Sequence, residues 1–350
     1  MRMRRMLEGP IRRWWHGEGK GGVILSPLAA PFSLLFRLGV GVRNRLYDAG
    51  ILSTEYAPVP VISVGNLSVG GTGKTPVSRW LLELLRARGR RPALVSRGYG
   101  EDEILLHRRW NPDLPVVTAA RRIDAVREAV ALGADVCVVD DGFQHRALGR
   151  DLDLVLLSVE DPLPVRLLPR GPYRETTGSL RRAQLALVTF HGRDREGEAL
   201  EVIHRVSRRR GVPRCMPFPF VPGAWQELDG SPTSEPEGRP LLVTSVARPE
   251  AVATMARRAG ITPSGALAFP DHHRYRPADL AEIRKAAGSG SVVTTEKDAV
   301  KLAPHSTELP PTRVLTLVPA PDRGVERIVG EAVDQALEAG DRRRRGGGGG

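Results

Sequence analysis

Continuous apolar runs and helical repeats alternate along most of the chain. The first run, at residues 61–64, is followed by a 3.6-residue apolar repeat at residues 76–88. Strands buried on both faces of a parallel sheet have continuous apolar sequences, and helices connect one strand to the next. This order therefore predicts an α/β fold with a parallel sheet sandwiched by helices. Further strands are predicted at residues 93–96, 136–139, 152–157 and 185–189, and a second helix at residues 123–132.

Composition divides the chain into segments. Residues 217–240 are rich in Pro, Gly and Ser, which indicates a linker, and new apolar runs at residues 241–244 and 292–294 indicate a second, smaller α/β unit. We predict an N-terminal basic and apolar segment (1–52), a main α/β domain (53–220), a linker (221–240), a smaller C-terminal α/β domain (241–320), a C-terminal helix (321–341) and a disordered tail (342–350).

The N-terminal segment combines arginines with an uncharged apolar stretch at residues 23–36. The stretch is shorter than the ~20 residues that a membrane-spanning helix needs, and it contains Pro27 and Pro31. Apolar side chains that enter the lipid interface, beside arginines that meet anionic headgroups, are typical of a membrane-interfacial segment. An ordinary helix packed on the core is the alternative that this pattern leaves open.

The chain of 350 residues carries a formal charge of +12, mostly from arginine. Such an excess attracts anionic partners, which include nucleic acids, phosphorylated metabolites and acidic membranes. The sequence lacks the interleaved basic and aromatic residues of nucleic-acid-binding proteins and contains none of their recognised modules. We therefore expect a membrane surface, and no nucleic acid, as a partner.

A glycine-rich segment joins the first predicted strand to the helix that follows. It reads Gly-Asn-Leu-Ser-Val-Gly-Gly-Thr-Gly-Lys-Thr over residues 65–75, with Ser68 where the generic P-loop pattern has glycine. In a P-loop the backbone N–H groups surround the nucleotide phosphates, the lysine bridges the β- and γ-phosphates, and the last hydroxyl ligates Mg²⁺. The segment predicts a P-loop NTPase-like domain that binds ATP and Mg²⁺. The predicted nucleotide-binding residues are Gly70, Gly71, Thr72, Gly73, Lys74 and Thr75.

Two adjacent acids, Asp140 and Asp141, follow the predicted strand at residues 136–139. A carboxylate at such a strand end holds Mg²⁺ in P-loop proteins, directly or through water. Two neighbouring carboxylates repel each other, and a cation between them relieves that repulsion. We therefore predict that Thr75, Asp140 and Asp141 are the magnesium-binding residues.

These parts alone do not separate phosphate transfer from hydrolysis or from nucleotide-dependent switching. Residues 295–298, Thr-Glu-Lys-Asp, are similar to the guanine-reading motif of GTPases, but the lysine stands one place too late, so a GTPase is not expected. A kinase and a membrane-associated P-loop ATPase that switches partner binding are both compatible with the loop and the acids.

Six motifs, in order along the chain, resemble those of the tetraacyldisaccharide 4′-kinases of lipid A biosynthesis. The resemblance extends from the N-terminal apolar segment to about Leu302. The motifs are Gly-Asn-Leu-Ser-Val-Gly-Gly-Thr-Gly-Lys-Thr-Pro (65–76), Ser-Arg-Gly-Tyr-Gly (96–100), Asp-Asp-Gly-Phe-Gln-His (140–145), Leu-Pro-Arg-Gly-Pro-Tyr-Arg-Glu (168–175), Phe-Pro-Asp-His-His (269–273) and Thr-Glu-Lys-Asp-Ala-Val-Lys-Leu (295–302).

The resemblance implies transfer of the γ-phosphate of ATP to the 4′-hydroxyl of a tetraacylated glucosamine disaccharide 1-phosphate, at the cytoplasmic face of the bacterial inner membrane. It also implies two α/β domains with the catalytic cleft between them and a membrane-facing N-terminal helix. An interfacial segment suits such an enzyme, because a lipid with several acyl chains stays in the membrane.

The resemblance further implies two catalytic groups that handle the proton of the acceptor hydroxyl. Asp102 falls on the position of the general base, although the Gly and the Pro that surround this acid in the family are replaced here. His272, rather than His273, falls on the position of its partner because it directly follows Asp271. A carboxylate within hydrogen-bond reach can accept the proton that a sugar hydroxyl loses as it attacks phosphorus.

The remaining implied roles concern phosphate and substrate. Lys74 and an arginine lie at the transferred phosphate, and Arg122 is the assignment for that arginine, with the neighbouring Arg121 as the competing one. The residues assigned to the substrate are Gln144, Arg174 and Glu175. For Arg170, Arg174 and Glu175, substrate binding and a loop ion pair are equally compatible with the sequence.

Overall fold

The computed structural model describes residue 11 and residues 14–15, 21–98, 100–208 and 211–346; residues 21–25 and 344–346 are described by their backbone alone. The predicted interfacial segment and the predicted tail therefore lie partly outside the described residues, at residues 1–10, 12–13, 16–20 and 347–350. The helices are α1 (Gly21–Asp48), α2 (Lys74–Ala87), α3 (Glu101–Trp110), α4 (Arg122–Ala131), α5 (Glu196–Ser207), α6 (Pro249–Arg258), α7 (Pro277–Ala287), α8 (Glu296–Leu302) and α9 (Arg323–Gly346).

Eleven strands form one sheet in the described part of the chain. They are β1 (Val61–Asn66), β2 (Pro92–Ser96), β3 (Val116–Thr118), β4 (Val136–Asp140), β5 (Leu152–Ser158), β6 (Leu185–His191), β7 (Arg214–Gln226), β8 (Leu241–Thr244), β9 (Gly265–Ala268), β10 (Val292–Thr295) and β11 (Thr312–Pro319). Their order is β3-β2-β4-β1-β5-β6-β7-β11-β10-β8-β9. Neighbouring strands are parallel, apart from the antiparallel pair of β7 and β11. The sheet thus has two parallel parts that run in opposite directions.

The apolar sequence of the central strands explains the layers of the first part, from β3 to β7. Every residue of β1, β4 and β5 is buried, as expected for strands that are covered on both faces. Helices α2 and α9 pack on one face of this part, and α4 packs on the other. Burying each Leu or Val side chain contributes about 1.5–3 kcal/mol, so these two apolar layers hold β1 and β4 firmly in place.

The second part, from β11 to β9, repeats this arrangement on a smaller scale. Leu280 and Ile283 of α7 pack with Val292 on one face, and Met255 of α6 packs with Val293 on the other. Successive residues of β10 point to opposite faces, which explains how Val292 and Val293 reach different layers. The predicted fold class, a helix-covered parallel α/β sheet with a smaller second α/β unit, is confirmed.

The predicted linker is in part a strand. Residues 221–226 belong to β7, which pairs with β6 along residues 214–220 and with β11 along residues 220–226. Pro217 and Pro219 lie in the section that is bonded to β6 alone, and proline is tolerated where a strand has a free edge because it has no N–H to donate. Strand β7 therefore connects the two parts of the sheet directly.

Helix α1 packs on the first part along one side only. Ser33 donates its hydroxyl hydrogen to the carbonyl of Leu167 at 3.0 Å, and the amide of Asn44 donates to Glu175 at 3.1 Å. Exposed apolar side chains follow its other side, at Leu28, Phe32, Leu34, Leu35, Leu38 and Val42. Among the described residues, no helix has the length and apolarity needed to cross a membrane.

The C-terminal helix is longer than predicted. Helix α9 continues to Gly346, so the prediction of a disordered tail from residue 342 is wrong for residues 342–346. Arg343 donates to Asp151 at 2.7 Å, and this buried carboxylate gives the arginine-rich end of the helix a fixed partner. Composition alone does not reveal such a partner.

Candidate active site

The glycine-rich loop runs from the end of β1 to the start of α2, as a P-loop does. Gly73 has a φ of +85°, which strains any residue with a side chain. A Cβ atom there would also lie 2.5 Å from the ring of Phe220, so only glycine is compatible with this position. The departure at Ser68 has a structural reason. Its buried hydroxyl donates to Asp161 at 2.6 Å, and this bond fixes the entry of the loop where a generic P-loop has glycine.

The loop lines a cavity of about 770 Å³ together with the predicted acids. Lys74, Thr75, Asp140 and Asp141 all face it, and the Nζ atom of Lys74 lies 3.6 Å from Oδ1 of Asp141. A volume in this range is typical of a site for one nucleotide-sized ligand. The structure thus brings the predicted phosphate-binding lysine and the predicted metal-binding acids to the same cavity.

Asp140 has the properties of a carboxylate that binds a cation. Its side chain is buried at the end of β4, and among the described residues its Oδ1 atom has no hydrogen-bond partner. Burial and the nearby charge of Glu103 raise its pKa, and Lys74 only partly offsets them. The described residues contain no group of three or more His, Cys, Asp or Glu side chains that could hold a metal by themselves. A P-loop magnesium takes its other ligands from a hydroxyl, water and phosphates.

Asp141 is already paired with cations. Both of its carboxylate oxygens accept from Nη1 of Arg174, at 2.9 and 3.0 Å. Burial would raise the pKa of Asp141, but Lys74 and Arg174 outweigh burial and lower it. The same arginine nitrogen lies 3.4 Å from the side-chain oxygen of Gln144, so Arg174 and Gln144 reach the cavity wall beside the phosphate-binding loop.

The two arginines at the start of α4 point in different directions. Arg122 is buried, lines the cavity and donates to the carbonyl of Ala119 at 3.3 Å. Arg121 is exposed and pairs with Glu55 at 3.3 Å. Burial lowers the pKa of Arg122, and the nearby charge of Asp141 raises it. Of the two competing assignments, Arg122 is the arginine beside the acids.

The predicted proton-handling pair is assembled from two distant segments. Asp102, on the first turn of α3, lies 2.8 Å from Nδ1 of His272, which follows β9. Burial would raise the pKa of Asp102, but the bond to His272 and the charge of Lys297 lower it to about 2. Gly100 leaves room for the pair, because a Cβ atom there would lie 2.9 Å from Cε1 of His272 and 3.0 Å from Oδ1 of Asp102.

His273 and Glu175 have structural partners instead. His273 is buried and bonds through Nε2 to Asp279 at 2.9 Å, at the start of α7. The buried carboxylate of Glu175 accepts from Arg182 at 2.9 Å and from Asn44. This is the loop ion pair that the sequence left open as an alternative, and substrate binding by Glu175 stays a prediction. Through these two partners the carboxylate links α1 to the segment that contains Arg182.

Comparisons with known proteins identify the family of the chain. A family model described as tetraacyldisaccharide-1-P 4′-kinase, LpxK, matches residues 25–334. The chain belongs to this family. It is 38% identical over 364 residues to the tetraacyldisaccharide 4′-kinase of Anaeromyxobacter sp. strain Fw109-5, covering 94% of this chain and 97% of that protein. It is 39% identical over 324 residues to the tetraacyldisaccharide 4′-kinase of Anaeromyxobacter sp. strain K, covering 83% of this chain and 85% of that protein.

A solved structure is similar as well. LpxK from Aquifex aeolicus, crystallised in complex with ATP, superimposes with a TM-score of 0.72 and 28% sequence identity, over 89% of this chain and 99% of that one. The family match and the similar kinases confirm the family and the enzyme class that the six motifs predicted. It supports a kinase and not the nucleotide-dependent switch.

Sequence reasoning assigned no role to three charged residues at this site. Arg248, after β8, donates to Asp161 at 2.6 Å and to Glu160 at 3.2 Å, so the carboxylate that holds Ser68 also binds an arginine from the second part of the sheet. Lys297 and Lys301 of α8 face Asp102 at 3.9 and 3.5 Å. A signal was present, because lysines four residues apart lie on one face of a helix.

Proposed function

We propose that this chain transfers the γ-phosphate of ATP to the 4′-hydroxyl of a tetraacylated glucosamine disaccharide 1-phosphate in lipid A biosynthesis. The main support is that one cavity contains the groups for both reactants. Lys74, Asp140 and Asp141 line it at the phosphate-binding loop, and His272 of the proton-handling pair lines it as well. A nucleotide switch needs no proton acceptor in its nucleotide cavity. A kinase for an alcohol needs one within reach of the phosphate.

The donor side is formed by residues 70–75 and the cations around them. Backbone N–H groups of the loop and the start of α2 bind the phosphates, and Lys74 bridges the β- and γ-phosphates. Mg²⁺, when bound, neutralises charge on the phosphate oxygens. Asp140 and the hydroxyl of Thr75 fit this ion best, because Asp141 already binds Lys74 and Arg174. Arg122 adds a further positive charge to the same wall.

The acceptor side is formed by the pair of Asp102 and His272. The 4′-hydroxyl enters between this pair and the γ-phosphate, where the pair receives its proton as the oxygen attacks phosphorus. Gln144 and Arg174 line the same cavity, and we assign them to the sugar and its phosphate. Holding both reactants in line provides most of the rate of such a transfer.

The membrane contact is made by α1. Its exposed apolar side chains, from Leu28 to Val42, lie on the side that faces away from the sheet, and Arg37 and Arg45 are exposed on the same helix. Apolar residues beside arginines bind an anionic lipid surface. We propose that the protein rests on the cytoplasmic face of the inner membrane through this helix, with the cavity open to the lipid headgroup.

The proposal is tested with purified protein, γ-³²P-labelled ATP, Mg²⁺ and the tetraacyldisaccharide 1-phosphate in detergent. We expect a labelled bisphosphorylated lipid. Lys74→Met should lower transfer by roughly a thousandfold, since it removes a preorganised cation at the reacting phosphate, whereas Lys285→Met, on the exposed surface of α7, should keep full activity. ATP hydrolysis without any labelled lipid would reject the kinase assignment.

A further inference from the structure

The side of α1 that packs on the sheet carries two serines, Ser26 and Ser33, which lie on one face of the helix because they are seven residues apart. Both bind residues 166–174, a loop between β5 and β6 that we call the linking loop. The hydroxyl of Ser33 donates to the carbonyl of Leu167 and accepts from the backbone N–H of Arg170, each at 3.0 Å. The hydroxyl of Ser26 accepts from Nε of Arg170 at 2.9 Å.

The other end of the linking loop is bonded to the phosphate-binding loop. The backbone N–H of Val69 donates to the carbonyl of Pro172 at 2.8 Å, and the backbone N–H of Arg174 donates to the carbonyl of Leu67 at 2.7 Å. Further backbone hydrogen bonds lie within the linking loop itself, and they limit how far one end can move without the other. The linking loop therefore joins α1 to the entry of the phosphate-binding loop.

A second contact joins α1 to the segment that follows β4. The guanidinium of Arg43 donates to the carbonyl of Gln144 at 3.0 Å, and the side-chain amide of Gln144 donates to the carbonyl of Asn66 at 2.9 Å. The two connections meet at Asp141, whose carboxylate accepts from Arg174 at 2.9 and 3.0 Å. Helix α1 thus contacts both segments that hold this acid.

The backbone of Asp141 is in a conformation that its neighbours must maintain. Its φ is +54°, in the left-handed region where a residue with a side chain is strained. Such residues persist only where the surrounding structure holds them, and they are common in switch regions and ligand sites. Asp141 also lies 3.6 Å from the Nζ atom of Lys74, so a change in its position changes the charges that surround the nucleotide phosphates.

The orientation of α1 that binds the linking loop is also the one that suits a lipid surface. In it Leu28, Phe32 and Leu35 are exposed together, while Ser26 and Ser33 face the loop. A rotation of the helix would break the bonds of the serines and turn them towards the lipid. A lipid surface therefore interacts more favourably with the bound orientation than with a rotated one, and such a difference is what a ligand needs to shift an equilibrium.

We infer that contact of α1 with an anionic lipid surface raises the affinity of the cavity for Mg²⁺·ATP, and that the linking loop connects the two sites. The inference rests on the membrane contact of the proposed function and adds a regulation of the same cavity. ATP is then bound most tightly where the lipid acceptor is present. The coupling is reciprocal, so nucleotide raises the affinity for lipid by the same factor. A helix that only anchors the protein leaves the two affinities independent.

The first test measures both affinities on the full-length protein. Titration calorimetry gives the affinity for the Mg²⁺ complex of a non-hydrolysable ATP analogue, with and without vesicles of phosphatidylglycerol and phosphatidylcholine, and co-sedimentation gives the affinity for the vesicles, with and without the analogue. We expect each affinity to rise about tenfold in the presence of the other ligand. Vesicle binding with ratios near one overturns the inference alone, whereas a wild-type protein that does not bind vesicles overturns the membrane contact as well.

The second test removes the connection and leaves the lipid-facing side of α1 intact. The double variant Ser26→Ala and Ser33→Ala should still bind vesicles, but the ratio of its nucleotide affinities with and without vesicles should fall to about one. Arg170→Ala removes only the side-chain part of this contact and should lower the ratio part of the way. The control, Ser264→Ala with Ser289→Ala, changes two exposed serines of the second part and should keep the wild-type ratio. A wild-type ratio in the Ser26 and Ser33 variant would overturn the role of the linking loop.

Discussion

Gly100 offers the sharpest test of the geometry around the proton-handling pair. It precedes α3 with a φ of +83°, and a methyl group on its Cα would lie 2.9 Å from Cε1 of His272 and 3.0 Å from Oδ1 of Asp102. Carbon atoms in contact need about 3.5 Å, so Gly100→Ala should push the ring or the loop by roughly 0.5 Å. Catalytic groups tolerate displacements of only about that size.

The expected loss is tenfold to hundredfold in kcat, since a misplacement of about 1 Å costs about a hundredfold. Backbone strain contributes separately, because a non-glycine residue at positive φ costs roughly 1–2 kcal/mol. Gly89→Ala is the matched control, as Gly89 has a φ of +71° and no atom within 4 Å of a Cβ. Both variants should therefore lose similar stability, and only Gly100→Ala should lose activity.

Three measurements separate these effects. Urea denaturation gives the change in the free energy of unfolding, titration calorimetry gives the affinity for ATP, and the ³²P assay gives kcat. Nucleotide affinity should be unchanged in both variants, because the loop at residues 65–75 contains neither glycine. If Gly100→Ala kept the wild-type kcat, or if Gly89→Ala lost as much, the close packing of the pair would have no part in the reaction.

Two further variants probe the support of the site and the membrane contact. Asp298→Asn should lower the free energy of unfolding by about 3 kcal/mol in urea denaturation, since it removes the nearer of the two carboxylates that face the buried Lys301 ammonium. Burial would raise the pKa of Asp298, but Lys301 and hydrogen bonds outweigh burial and lower it, so this difference should shrink below about pH 4 as the carboxylate is protonated. A pH-independent difference would contradict the ionic explanation. The double variant Phe32→Ser and Leu35→Ser should weaken co-sedimentation with anionic vesicles while ATP affinity is kept, and Leu200→Ser, an exposed leucine on α5, should change neither.

The core of the first part was predictable because its signals are local. Continuous apolar runs identified β1, β2, β4, β5 and β6 to within about two residues, since burial on both faces favours apolar residues at most positions of a strand. The P-loop was equally clear, because its chemistry requires glycines, a lysine and a hydroxyl in one short segment. The hydrogen bond from Ser68 to Asp161 could not be predicted from the sequence, since the two residues are 93 positions apart.

Strand β7 was missed for a different physical reason. Its prolines suggest a linker, yet a strand can contain them where only one neighbour is bonded, and that neighbour is known only from the assembled sheet. Glu175 has the same problem at the level of a side chain. A carboxylate in a motif rich in arginine fits a substrate site and an ion pair equally well, and only the assembled structure shows that Arg182 lies beside it.

The pairing of Asp102 with His272 shows why charge, more than apolar packing, defines the acceptor side. The residues come from different parts of the sheet, 170 positions apart, and Lys297 and Lys301 accompany the histidine's part while Glu103 accompanies the aspartate's. Buried ion pairs add little net stability, because desolvation offsets much of the attraction, but removing one partner is costly. Each charge thus specifies the position of the others, and the charged groups around the imidazole also bring the two parts of the sheet together in one register.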